Sequence, residues 1–453
     1  MKNIDDTIAA ISTGTGGAVA IIRISGADAL KIGNSIWHGG TKLSSKGKRK
    51  LLLGKCISPD SSFSEQAVAV FFQSPNSYTG EDIVEIQCHG GTLVSRKVLE
   101  LTLAAGARQA DPGEFTFRAF MNGKIDLTQA EGVCDIISAQ SGMALNLAER
   151  QTGGILGKTV REIRSSLVTV LSECESRMDF VEEELDWQKP ASLIATLEKA
   201  SSKIKNLLKY RTEGAVLREG VRIVIAGKPN VGKSSLLNLL LGYDRAIVTA
   251  LPGTTRDTVE EHAVIRNIPV KLIDTAGIRD ADNIIENKGI ERSLASIRQA
   301  QIILWLLDAS SNHAEEIKTM KKHAAGKGNV IAVWNKIDLL KNSRSLPDAG
   351  IETAKISIEK NTGVEKLMDI LEKSVWGYPH TDEPETAVST RHSSLLEEAL
   401  DAIPGASQKI KSQDWELASV NLRATIAALG KITGEDASPD ILDEIFSRFC
   451  IGK

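Results

Sequence analysis

Short apolar runs of strand length open the chain: AVAIIRI (Ala18 to Ile24), AVAVFF (Ala67 to Phe72) and DIVEIQC (Asp82 to Cys88). The period then changes. After His89-Gly90-Gly91, the residues Leu93, Lys97, Val98, Leu101 and Ala105 are spaced like one helix that Gly106 ends. This pattern predicts a small α/β domain over residues 1–118. Over 119–217, runs rich in Leu, Glu, Ala and Lys keep helical spacing, with Pro190 as the proline punctuation. A third pattern begins near Val221, where VRIVIAG, VKLIDTAG, IILWLLD and VIAVWNKID alternate with helical segments. Continuous apolar strands between helices predict a mostly parallel sheet buried on both faces, here over 218–377. Residues 378–453 return to helical spacing in LLEEALDAI, WELASVNLRATIAALGKI and PDILDEIFSRFC. So short a segment struggles to form its own core and is expected to pack on the helices of 119–217. The predicted class is multidomain α/β plus all-α, with the parallel-sheet domain inserted into a helical domain.

Composition narrows the function. A length of 453 residues suits about three domains. Lys plus Arg number 55 against 58 Asp plus Glu, a net charge of −3, which excludes a uniformly basic polyelectrolyte binder and makes any nucleic-acid contact local. Apolar residues at 42% exclude bulk disorder, and aromatics at 4% argue against base-stacking platforms. Cys56, Cys88, Cys134, Cys174 and Cys450 are widely spaced without a CxxC pair, as in a reduced cytoplasmic protein with neither zinc knuckle nor disulfide framework. No apolar run is longer than that of Ile302 to Leu307, far below the roughly 20 residues of a membrane span. The start MKNIDDTIAA lacks the regions of an export signal, and the terminal CIGK departs from a prenylation box at Gly452 and Lys453. A cytoplasmic protein with no membrane span and no lipid is expected.

Gly227-Lys228-Pro229-Asn230-Val231-Gly232-Lys233-Ser234 is a GxxxxGKS phosphate loop between a strand and the helical SLLNLLLG. The backbone of Asn230, Val231, Gly232 and Ser235 suits a cradle for phosphates, Lys233 a bridge between β- and γ-phosphates, and Ser234 a magnesium ligand. Asp274-Thr275-Ala276-Gly277 ends a strand where a carboxylate would meet magnesium through water and an amide would sense the γ-phosphate. Asn335-Lys336-Ile337-Asp338 supplies the base reader. Asp338 can accept from guanine N1 and its amine, and an unpaired acceptor would reject adenine by roughly 10⁴-fold. The nucleotide read from these residues is GTP. Ser357 in AKISIEK is placed in the last base loop, with Ile358 where Ala is usual. Thr249-Ala250-Leu251-Pro252-Gly253-Thr254-Thr255 has the composition of an ordering switch, with Thr255 the second magnesium ligand.

Catalysis needs another source than the usual Gln, because Ile278 follows the DTAG motif. Glu286, in competition with Asp280, Asp282 and Glu291, is a candidate to orient water, and Arg256 or Arg279 are candidate internal fingers. A potassium ion on Asn230 and on backbone carbonyls of the 249–254 loop would supply the missing charge.

GKPNVGKSS, TALPGTTRD, DTAGIRD, EFTFRAFMNGKIDLTQAE and the terminal CIGK together resemble the bacterial and organellar tRNA uridine-modification GTPases of the MnmE/TrmE type, over essentially the full chain. The resemblance implies a homodimer whose N-terminal domain dimerises and binds 5-formyltetrahydrofolate, or the methylene form, through Arg23, Glu81, Lys124 and Lys453. Two lysines and an arginine suit an anionic, glutamate-tailed pterin, and a carboxylate can accept from its N–H groups. It also implies Glu286 as the residue that orients water, Asn230, Thr249, Leu251 and Thr254 as potassium ligands, and a part for Cys450 in the modification. The implied partner is a flavin-dependent protein of the MnmG/GidA type. Together they would attach an aminomethyl or carboxymethylaminomethyl group to C5 of the wobble uridine of tRNA. Two alternatives stay open: a folate-binding switch scaffold with all chemistry in the partner, and a ribosome-assembly GTPase, for which no GxxG RNA-binding module is evident.

Overall fold

The computed structural model describes residues 5–44, 49–180, 186–243, 260–274, 297–311, 314–324, 329–340, 346–377 and 386–453. Its contacts divide the chain into two units, one of Met1–Cys134, Gln151–Lys205 and Ser394–Lys453, the other of Asp135–Arg150 and Asn206–Ser393.

The first unit holds a seven-stranded sheet of β1 (Ile8–Ile11), β2 (Val19–Ser25), β3 (Trp37–Gly39), β4 (Leu52–Ile57), β5 (Ser64–Phe72), β6 (Ile83–His89) and β7 (Arg108–Gln109). Their order is β3-β4-β5-β6-β2-β1-β7, antiparallel except for the parallel β1–β7 pair. The three runs read from sequence are β2, β5 and β6, which lie side by side at the centre. Along β2 the inward residues Ala20, Ile22 and Ile24 alternate with outward ones, the period of a half-buried strand. Helices Ala29–Ile36 and Thr92–Ala104 contribute Ile32, Ile36 and Val98 to the same core.

The last helices complete this unit. Trp415–Thr433 buries Ala418, Leu422 and Leu429 and packs along the helix Ile155–Asp179, the association expected for the C-terminal segment. Pro439–Ser447 brings Phe446 into an edge-to-face contact with Phe117 at 5.2 Å and a stack with Phe449 at 5.5 Å. Beyond it, the tail lies against the start of the helix Glu114–Met121: Gly113 N donates to Cys450 O (3.4 Å) and Phe115 N to Lys453 O (3.2 Å).

The second unit is built on β8 (Val221–Gly227), β9 (Glu260–Ile265), β10 (Ile268–Asp274), β11 (Ile302–Asp308), β12 (Val330–Asn335) and β13 (Thr353–Lys355), in the order β13-β12-β11-β8-β10-β9. All pairs are parallel except β9–β10, a hairpin at the edge. On one face Ile223, Ile225, Leu304 and Leu306 share a core; on the other Val224, Ile303, Trp305 and Leu307 share a second. Burial on both sides is why these strands read as unbroken apolar runs. Among the described residues no helix is long and apolar enough to cross a membrane.

Candidate functional site

β8 ends at Gly227, and the chain turns through Lys228–Gly232 before the helix Lys233–Tyr243 begins. Gly227 (φ 144°), Asn230 (φ 64°) and Gly232 (φ 101°) all take positive φ. A Cβ on Gly227 would stand 2.6 Å from Leu306 O, and one on Gly232 2.5 Å from Asn335 Nδ2. Glycine is therefore required at both points by backbone angle and by crowding. Buried Lys233 curls over the loop, its Nζ donating to Gly227 O (3.2 Å) and Lys228 O (2.8 Å). The first amides of a helix find no carbonyl within it, so the start at Lys233 presents N–H groups and a partial positive charge to an anion. The loop opens on a cavity of about 890 Å³ whose lining includes Asn230, Lys233, Ser234, Ser235, Asp338 and Ser357.

The base-side loops meet this cavity at the ends of β12 and β13. Asn335 is buried and acts as a strut: its Nδ2 donates to Val231 O (2.9 Å), while its Oδ1 accepts from Ile358 N (3.3 Å). Lys336, at φ 63°, donates to Asn230 O (3.0 Å) and pairs with Asp308 at 2.7 Å. Burial pushes the Asp308 carboxyl up, but hydrogen bonds from Lys336 and Ser310 outweigh it and hold the group below its ordinary range. Asp338 sits in the 3-10 turn Ile337–Leu339, and a hydrogen bond from the Ser357 hydroxyl keeps its carboxyl below the usual range. Ser357 is itself pinned, its backbone paired with Thr362 in both directions (3.0 and 3.1 Å). Asn335 and Lys336 thus tie the turn at Asn230 and Val231 to the loops that follow β12 and β13, and Asp338 lines the cavity.

Thr249, Ala250, Leu251, Pro252, Gly253, Thr254, Thr255, Arg256, Thr275, Ala276, Gly277, Arg279 and Glu286 lie outside the described residues, as does the side chain of Asp274. One participant escaped sequence reading. Glu316 is buried, with Oε1 3.4 Å from Lys228 Nζ at the entry of the phosphate loop. In sequence it is one of two acids opening a helix, which carries no sign of that contact.

The other predicted residues cluster in the first unit. Arg23 Nε donates to Glu85 Oε1 (2.8 Å), and its guanidinium lies 5.6 Å from the ring centres of both Tyr78 and Phe115. Phe115 in turn donates its amide to the carbonyl of Lys453. Glu81 accepts from Ser25 Oγ (2.6 Å) and faces Arg118 Nη1 at 3.2 Å. Lys124 Nζ donates to Pro75 O (3.0 Å), and its Cγ would be 3.3 Å from a Cβ on Gly80. Aromatic faces, cationic groups and a held carboxylate fit a flat ring that carries N–H donors and an anionic tail. Tyr78, Phe115 and Arg118 were missed from sequence, although Glu114 and Arg118 stand four apart on one helix and signal an ion pair.

Comparison with known proteins matches two family models to the chain. The family model described as the MnmE helical domain matches residues 127–450, and that of the GTP-binding protein TrmE N-terminus matches 7–124. The tRNA modification GTPase MnmE of Geobacter sulfurreducens is 42% identical over 456 residues, covering 99% of this chain and 100% of that protein. Its counterpart from Clostridioides difficile is 40% identical over 459 residues, with 99% and 100% covered. Among solved structures, Aquifex aeolicus Era is 26% identical over 40% of this chain and 66% of that one, at a TM-score of 0.28 that carries no argument.

Proposed function

We propose a function that starts from one established fact: this chain belongs to the MnmE family of tRNA modification GTPases. It is a GTP hydrolase acting in tRNA modification. The finer reading is that hydrolysis depends on potassium and magnesium. It serves, together with a flavin-dependent MnmG/GidA-type partner in the cytoplasm, to add a carboxymethylaminomethyl or aminomethyl group to C5 of the wobble uridine from a folate one-carbon donor. The observation that carries this reading is the single cavity shared by the phosphate loop and Asp338. It offers phosphate-binding amides at one end and an ionised acceptor for adjacent N–H donors at the other.

Each residue then has a task. Lys233 bridges the β- and γ-phosphates, Ser234 and Thr255 hold magnesium, and Asp338 selects guanine. Asn230, Thr249, Leu251 and Thr254 hold potassium, and Glu286 orients the attacking water. Asn230 suits its part: its left-handed backbone places it in the loop's turn, with its carbonyl tied down by Lys336. Bound potassium supplies the positive charge that an arginine finger supplies elsewhere, worth roughly 10³- to 10⁵-fold in rate. The folate reading places Arg23, Glu81, Lys124 and Lys453 around the pterin and its tail, in a homodimer. Single-turnover hydrolysis in potassium chloride and in sodium chloride at equal ionic strength tests the cation's part. At least a tenfold faster rate in potassium is expected, a threshold set well below the roughly 10³-fold low end of a bound charge at the phosphates. Equal rates would overturn it.

A further inference from the structure

Glu81 is held from two sides. Its Oε2 accepts from Ser25 Oγ at 2.6 Å, and Ser25 is fully buried, with its Oγ also 2.8 Å from Thr79 Oγ1. Its Oε1 lies 3.2 Å from Arg118 Nη1. Arg118 has no exposed surface: Nη1 also donates to Asp6 O (2.7 Å), and Nη2 donates to Asp6 Oδ1 (2.5 Å) and Glu114 Oε1 (3.1 Å). A planar guanidinium anchored in this way is a rigid fork and cannot follow a rotating carboxylate, so the carboxylate must conform to it.

The charges are unevenly shared. Asp6 and Glu114 each meet both Arg108 and Arg118, whereas among the described ion pairs Glu81 meets Arg118 alone. Among the described ion pairs three carboxylates face these two guanidiniums, and Glu81, with a single such partner, keeps 16% of its side-chain surface exposed. A carboxylate that is fixed and still accessible retains lone pairs for a ligand.

We infer that Arg118 and Ser25 are positioning residues that set the Glu81 carboxylate as a fixed acceptor for a ligand presenting adjacent N–H donors, as the 2-amino-4-oxopyrimidine half of a reduced folate does. The inference rests on the folate reading above. Its test is a double-mutant cycle by calorimetric titration of the full chain with 5-formyltetrahydrofolate. Ser25→Ala removes one restraint without disturbing the buried arginine, and is expected to weaken binding about tenfold, the worth of a hydrogen bond to a charged group. In a Glu81→Gln background the same change should cost less than about twofold, because the group it positions is already altered. Arg118→Lys, which keeps the charge but loses the fork, should behave in the same way; if it does not fold, the Ser25→Ala arm decides. Equal losses in both backgrounds would mean a merely structural role and overturn the inference, as would unchanged binding in the single variant. No binding by the unmodified chain would overturn the folate reading and the inference together, so the two failures are distinguishable.

Discussion

In the proposed function, the choice of base at Asp338 comes down to which atoms donate. The carboxyl stays ionised because the Ser357 hydroxyl donates to it, so it accepts and never donates near neutral pH. Asp338→Asn turns one acceptor into a donor, which suits xanthine, with oxygen at C2, and not guanine. GTP affinity should fall at least about 100-fold while xanthosine triphosphate gains, measured by competition with a fluorescent nucleotide; retained GTP preference would refute the role. Glu114 makes a second residue-level case. Burial raises its carboxyl, but the hydrogen bonds from Arg108, the Asp111 amide and Arg118 prevail and hold it below the ordinary value. A lowered folded value means stability present above the unfolded value of about 4.3 and lost as pH falls through the lower folded one. Glu114→Gln should therefore cost about 3 kcal/mol at pH 7, with the difference from the unmodified chain shrinking below about pH 4 in denaturant titrations. A penalty constant down to pH 3 would contradict the ion-pair account.

Among the elements, the close docking of the C-terminal tail turns on one glycine. Gly452 has φ 94°, and a Cβ there would stand 2.2 Å from Ile11 O. Gly452→Val should release the tail, expose the Gly113 and Phe115 amides to rapid hydrogen exchange, and weaken folate binding through Lys453 while leaving GTP binding intact. Unchanged exchange at those amides would show that the tail docks by other means. Periodicity made the central elements legible in advance: β2, β5, β6 and the strands buried on both faces all read from pattern alone. The edge strand β9, EEHAVI, did not, because two acids begin it and only its hairpin with β10 makes it a strand. The helix Thr92–Ala104 was legible but its face was not, since Leu93 is 70% exposed while Ser95 and Thr102 are buried. Their hydroxyls donate back to the carbonyls of Gly91 and Val98, which satisfies them inside the core. The phosphate and base loops were readable because their spacing is local. Arg118 with Asp6 and Glu81, or Glu316 with Lys228, are contacts across the fold that no local pattern announces.

For the whole molecule, a net charge of −3 sets how tRNA is approached. A near-neutral chain gains little from counterion release, so weak and only shallowly salt-dependent affinity for tRNA is expected of the chain alone, with the proposed flavoprotein partner sharing the grip. Coupling between nucleotide hydrolysis and the tRNA modification is the central claim. It is tested most directly by mass spectrometry of wobble uridines from cells whose only copy carries Glu286→Ala, a change that leaves the phosphate loop and Asp338 in place. The account predicts that the carboxymethylaminomethyl and aminomethyl groups disappear although the variant protein still binds GTP. Wobble uridines modified at the normal level would contradict it, and would leave the chain a folate-binding scaffold whose hydrolysis is dispensable.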